Sequence, residues 1–174
     1  CASDMGKTET VRALIEARAD VTKAETQSGR SPLHIAAQFG NAATVQLLVE
    51  ARADLDRVDG GYKRTALISA AFDGKTDIAK CLIEARSNLE VKDVDGRSAL
   101  GAAMFNGHAE IAKSLLEAGA DTATTDNWGR APLEQLTTKA RSIREDVVKF
   151  AEEHKKKKSA EPAQSSEPAQ GSQP

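Results

Sequence analysis

The chain has 174 residues and a formal net charge of −2, and 40% of it is hydrophobic but only 3% aromatic. That length accommodates one domain and a tail, the near-neutral charge gives no global pull toward nucleic acid or an anionic membrane, and any core must be assembled from Ala, Leu, Ile and Val. The apolar runs are far too short to span a bilayer, the opening residues do not read as a secretory leader, and two cysteines, Cys1 and Cys81, suit a reducing compartment rather than a disulfide framework. We therefore expect the cytoplasm, or the nucleus if a basic run near the end acts as an import signal. The first residue is Cys rather than Met, which leads us to expect a fragment or a processed form.

In chain order, the first feature is "DMGKTET" at 4–10, whose Gly-Lys-Thr returns in "FDGKTDI" at 72–78. A phosphate-binding loop ends this way, but it needs a second Gly five residues earlier and a position between a buried strand and a helix. Cys1 stands five residues before Gly6, and Ser69 before Gly74; the preceding "TALISAAF" is helical in character. The nucleotide reading fails on spacing and context. The tripeptide recurs because the chain repeats. Equivalent glycines stand at 6, 40, 74 and 107, in steps of 34, 34 and 33. "GRSPLHIAA" at 29–37 returns as "KRTALISAA" at 63–71, "GRSALGAAM" at 96–104 and "GRAPLEQLT" at 129–137, and "LIEARADV" at 14–21 returns at 48–55, 82–89 and 115–122.

Each unit reads as a pair of helices. Ser31, Thr65 and Ser98 are natural N-caps, and Pro32 and Pro132 stand at a first helical position, where the missing N–H costs nothing. Paired alanines such as Ala36-Ala37 and Ala70-Ala71 let a neighbouring helix approach closely, and Gly40, Gly74 and Gly107 end the first helix. The second helix, begun by Lys7 or Lys75 in the Gly-Lys-Thr units, carries Val11/Leu14/Ile15, Val45/Leu48/Val49, Ala79/Leu82/Ile83 and Ala112/Leu115/Leu116 at helical spacing. A polar stretch long enough for a protruding hairpin follows.

This pattern resembles the ankyrin repeat, with "SPLHIA" at 31–36 closest to the Thr-Pro-Leu-His-x-Ala signature and "GHAEIAKSLLEAGAD" at 107–121 close to the family's second half. The resemblance covers roughly residues 1–136. It implies an all-α solenoid of stacked helix-turn-helix units joined by β-hairpins or loops. We expect a truncated unit at 1–24 with a fraying start, complete units at 25–58, 59–92 and 93–125, a capping unit at 126–153, and a disordered tail from 154 to 174. In the cap, Ile143, Val147, Phe150 and Ala151 should face inward and Arg141, Arg144, Asp146, Lys149, Glu152 and Glu153 outward. Three departures stand out. Arg18, Arg52 and Arg86 replace the family's Gly after the second helix, so either these loops differ or the array carries strain. Lys63 replaces the hairpin Gly in a unit that carries Gly60-Gly61 and one extra residue, where a longer, more mobile hairpin is expected. The signature His survives only as His34, so the family's inter-repeat histidine bond is expected once.

Chemistry-bearing constellations are missing from the sequence. His34, His108 and His154 are far apart and none has a partner at metal-ligand spacing; Cys81 reads as a buried inert thiol. We expect no catalytic residue, no cofactor and no metal. The surface says more, because equivalent positions of stacked units line up in columns. One column is Arg30, Arg64, Arg97 and Arg130; another holds Phe39, Phe72 and Phe105, with Phe39 shifted by one position; Tyr62 and Trp128 fall on the hairpins. The resemblance places these on the concave side where the family binds partners, and Arg and aromatic residues are enriched at hot spots. The leading expectation is a non-enzymatic module that binds another protein there, an acidic or phosphorylated segment with apolar anchors, since Arg pairs with both anions. The alternative is a regulatory or targeting segment of a larger enzyme or channel whose catalytic part lies upstream. Nucleic-acid binding through Lys155–Lys158 is the weakest reading at this net charge, and that run reads better as a basic end favourable to a helix dipole.

Overall fold

The computed structural model describes residues 8–134 and 137–160. Gly6, Lys7 and the tail beyond Ala160 lie outside them. Eight α-helices occur among the described residues: α1 (Thr8–Glu16), α2 (Pro32–Phe39), α3 (Ala42–Glu50), α4 (Ala66–Asp73), α5 (Thr76–Glu84), α6 (Ala99–Asn106), α7 (Ala109–Glu117) and α8 (Thr138–Ala160), with a 3₁₀ turn at Pro132–Glu134. No strand is formed among them. Helix pairs α2/α3, α4/α5 and α6/α7 stack so that α2, α4 and α6 make one layer and α1, α3, α5, α7 and α8 the other. This is an all-α ankyrin-type solenoid.

The local signals work as their chemistry requires. The Oγ of Ser31 accepts from the N–H of His34, Thr65 from Ile68 and Ser98 from Gly101, each opening a first helix. Gly40, Gly74 and Gly107 close those helices with φ of 76°, 73° and 78°. Lys75, expected to begin the second helix, is instead the N-cap of α5. Its side chain lies against Gly40 of the preceding unit.

Between the layers, Leu33, Leu48, Leu67, Leu82, Leu100 and Leu115 are fully buried among the paired alanines. Leu14 of α1 departs from this row and is exposed. In α8, Val147 is buried and Ile143, Phe150 and Ala151 pack against the core, while the six polar positions face outward, Asp146 pairing with Lys113 of α7 at 2.7 Å. The helix does not stop at 153. It runs through the lysines to Ala160, so residues 154–160, expected to open the unstructured tail, are helical: cations at a helix C-terminus complement its dipole.

The hairpins are turns closed by a backbone bond from Glu25 N–H to Arg30 O, Asp59 to Arg64, Asp93 to Arg97 and Asp126 to Arg130, with a second bond from Gly29 N–H to Glu25 O, Gly96 to Asp93 and Gly129 to Asp126. The first two enclose one residue more than the last two, so the extra residue expected only at Gly60-Gly61 is shared with the preceding hairpin. Successive tips are joined: Gly60 N–H donates to Ser28 O (2.8 Å), Val94 to Tyr62 (2.9 Å) and Asn127 to Asp95 (3.0 Å). Behind the second helices, the N–H of Asn88 donates to the Asp56 carboxylate and that of Asp121 to Glu90.

The strained alternative holds for the substituted glycines. Arg18, Arg52 and Arg86 are left-handed at φ of 58°, 60° and 64°, and Lys63 takes the hairpin glycine's place at 51°. Each such residue costs about 1–2 kcal/mol over its right-handed form, partly offset by the roughly 0.5–1 kcal/mol that a glycine loses in chain entropy. The double variant Arg52→Gly/Arg86→Gly is therefore expected to be more stable by about 1–2 kcal/mol, and a urea melt with unchanged or lower midpoint would contradict this.

Candidate functional site

The nine nominated residues fall into three settings. Phe72 and Phe105 lie near the ends of α4 and α6, half-buried, with an arginine over each ring: the Arg64 guanidinium 3.8 Å from the Phe72 centroid and that of Arg97 4.7 Å from Phe105. Tyr62 and Trp128 stand at equivalent hairpin positions, two residues before an arginine, and each is 61% exposed. Arg64 stacks on Tyr62 and Arg130 on Trp128, both at 4.8 Å. Phe39 is set apart, more than half exposed and stacked on no arginine. The ring position of its unit is occupied by Gln38, whose amide oxygen accepts from the Arg30 guanidinium.

The arginine column is thus the spine of a cation–π ladder (Tyr62–Arg64–Phe72–Arg97–Phe105) that crosses consecutive units. It is also largely neutralised from within. Asp93, with a fully buried side chain, lies 3.7 Å from Arg64 Nε and 3.3 Å from an Arg97 terminal nitrogen, and Asp95 pairs with Arg97 as well. Asp126, also buried, holds Arg130 through Nε at 2.9 Å and a terminal nitrogen at 2.8 Å. These acids form a column, Glu25, Asp59, Asp93 and Asp126, with the chain's own spacing of 34, 34 and 33. That interval is the signal of the column in the sequence. Their Oδ1 atoms also tie the hairpin: Asp93 accepts from the N–H of Asp95 and Arg97, Asp126 from Trp128 and Arg130.

His34 and His108 each reach a backbone carbonyl of a neighbouring unit. His34 Nδ1 accepts from the Ser31 N–H at 3.2 Å, which leaves the proton on Nε2 for the Arg64 carbonyl of the next unit at 2.9 Å. Burial holds its pKa below the ordinary value of about 6.5, so the ring is neutral at physiological pH. His108 Nε2 contacts the Phe72 carbonyl at 3.2 Å, a second inter-unit histidine contact from a different position than the one expected. Cys81 is half-buried rather than buried; burial, with Glu84 and Glu50 nearby, raises its pKa and keeps it a poorly nucleophilic thiol. Among the described residues no group of three His, Cys, Asp or Glu side chains could hold a metal ion, and no helix is long and apolar enough to cross a membrane.

Between the first two hairpins, α2 and α4 lies a groove of about 390 Å³, lined among others by Arg30, Gln38, Asp59, Tyr62, Arg64 and Asp73. A family model of ankyrin repeats (three copies) matches residues 1–59 and 52–126, so the chain belongs to the ankyrin-repeat family. Such repeats are generally protein–protein interaction modules and typically not catalytic. No curated protein is significantly similar to this chain.

Proposed function

We propose that this chain is a non-enzymatic module that binds another protein across its hairpin tips and first-helix face, through apolar anchors at Tyr62 and Trp128 and a carboxylate or phosphate at Arg30. The supporting observation is where the apolar exposure lies. Of the six exposed large hydrophobic side chains among the described residues, Phe39 ends α2 and Val58, Tyr62, Val94 and Trp128 lie in the segments leading into or forming the hairpins, while Leu14 lies on α1. Clustered exposed apolar groups mark docking surfaces, and large rings are frequent anchors in them.

The internal ion pairs sharpen which arginines serve. Arg97 and Arg130 already face carboxylates, and Arg64 shares Asp93; they position rings. Arg30 bonds a neutral amide, which an incoming carboxylate or phosphate can replace with a stronger charge-assisted bond. Arg30→Glu with Tyr62→Ala is expected to abolish capture of the partner retained by the intact chain, with helical circular dichroism unchanged. Partner retention by the folded double variant removes the face from consideration.

A further inference from the structure

The two exposed rings are not equivalent to a continuous apolar stripe, and their spacing carries information. Tyr62 and Trp128 hold the same place in the second and fourth hairpins, two residues before Arg64 and Arg130, and each ring lies against its own arginine. The matching place in the hairpin between them is Asp95, which is paired with Arg97. In the first hairpin it is Ser28. Reading along the tips, the face therefore offers Arg30 beside the groove, a ring, a third hairpin where exposed Val94 stands beside the Asp95–Arg97 pair, and a second ring. At about 8–10 Å between stacked helices, two unit steps separate the rings by roughly 16–20 Å.

We infer that the partner presents an extended segment with two apolar side chains six residues apart, its acidic or phosphorylated residue lying outside that pair on the Arg30 side. This rests on the reading of the face as a docking surface and adds a register and a direction to it. An extended chain advances about 3.3 Å per residue and its side chains alternate faces, so two anchors that both meet the rings stand six residues apart. A docked helix is roughly 10–12 Å wide and wants an unbroken apolar stripe, whereas the Asp95–Arg97 pair interrupts this one. The anion's place follows from the guanidinium inventory. Arg97 is only 6% exposed between Asp93 and Asp95, and Arg130 is held at two nitrogens by Asp126. The groove's own acids leave Arg30 to a ligand: Asp59 accepts from the N–H of Gly61 and Arg64, and Asp73 is exposed at the end of α4. Orientation is thus built in at the arginines: those between the rings and at Trp128 already have carboxylates, whereas Arg30 bonds an amide.

The test is selection of random 16-residue peptides displayed on phage against the full chain, with the enriched sequences remade as fluorescent probes. The expected winners share two apolar residues six apart and an acidic residue flanking the pair. Tyr62→Ala, Trp128→Ala and Arg30→Glu should each weaken them at least tenfold, and only the Arg30 effect should fade at high salt. Winners with anchors three to five residues apart, with the acid between them, or indifferent to Trp128→Ala while sensitive to Tyr62→Ala and Arg30→Glu overturn the register and leave the docking face standing. Winners indifferent to all three substitutions, or no winners at all, overturn the face itself.

Discussion

Gly107→Ala should destabilise the array by about 3–5 kcal/mol, and Gly119→Ala by only about 1–2. Both glycines are left-handed, with φ of 78° and 92°, so both variants strain the backbone. They differ in what a methyl group would meet. At Gly107 it would sit 2.9 Å from the Lys139 carbonyl oxygen and the Lys139 Cβ, groups fixed at the start of α8 that cannot swing away; at Gly119 nothing lies within 4 Å. The gap between the two melting midpoints isolates the cost of crowding the inter-unit contact. Equal losses would mean that the close approach of α8 contributes nothing.

Asp93→Ala should cost about 3–5 kcal/mol, the range for removing one partner of a buried ion pair. Its carboxylate lies between the arginines of two successive units and also accepts two backbone N–H groups at 3.0 Å. Without it Arg64 loses its nearby carboxylate with the side chain 14% exposed, although Arg97 keeps Asp95. Asp126→Ala should cost less, since Arg130 is a third exposed and can be hydrated. The order of the two urea midpoints checks this, and a milder loss at Asp93 would show that the shared carboxylate does not bind the two units together.

Much of this architecture was legible in the sequence because short-range chemistry determines it. A hydroxyl before a Pro-Leu or Ala-Leu pair can only cap, and a Gly at a fixed interval marks a left-handed stop, so the caps at Ser31, Thr65 and Ser98 and the stops at Gly40, Gly74 and Gly107 were readable one by one. What was hidden depends on neighbours from other units. Arg97 reads as a surface charge until Asp93 and Asp95 are seen around it, and the one-position shift of Phe39 gains its meaning only when Gln38, in the ring's place, is seen accepting from Arg30. The extension of α8 was obscured for another reason: residues 154–160 carry no apolar period, and their helix is an overrun of a packed one, favoured by lysines at its C-terminal end.

The backbone bonds between units have a sense that the repeats themselves do not announce. At the tips, Gly60, Val94 and Asn127 each give a proton to the unit before, and Asn88 and Asp121 do the same behind the second helices. Every such amide donor sits downstream of its acceptor. The array is therefore a vector: two like ends brought face to face would set amide against amide or carbonyl against carbonyl, and only head-to-tail joining lets one copy continue another.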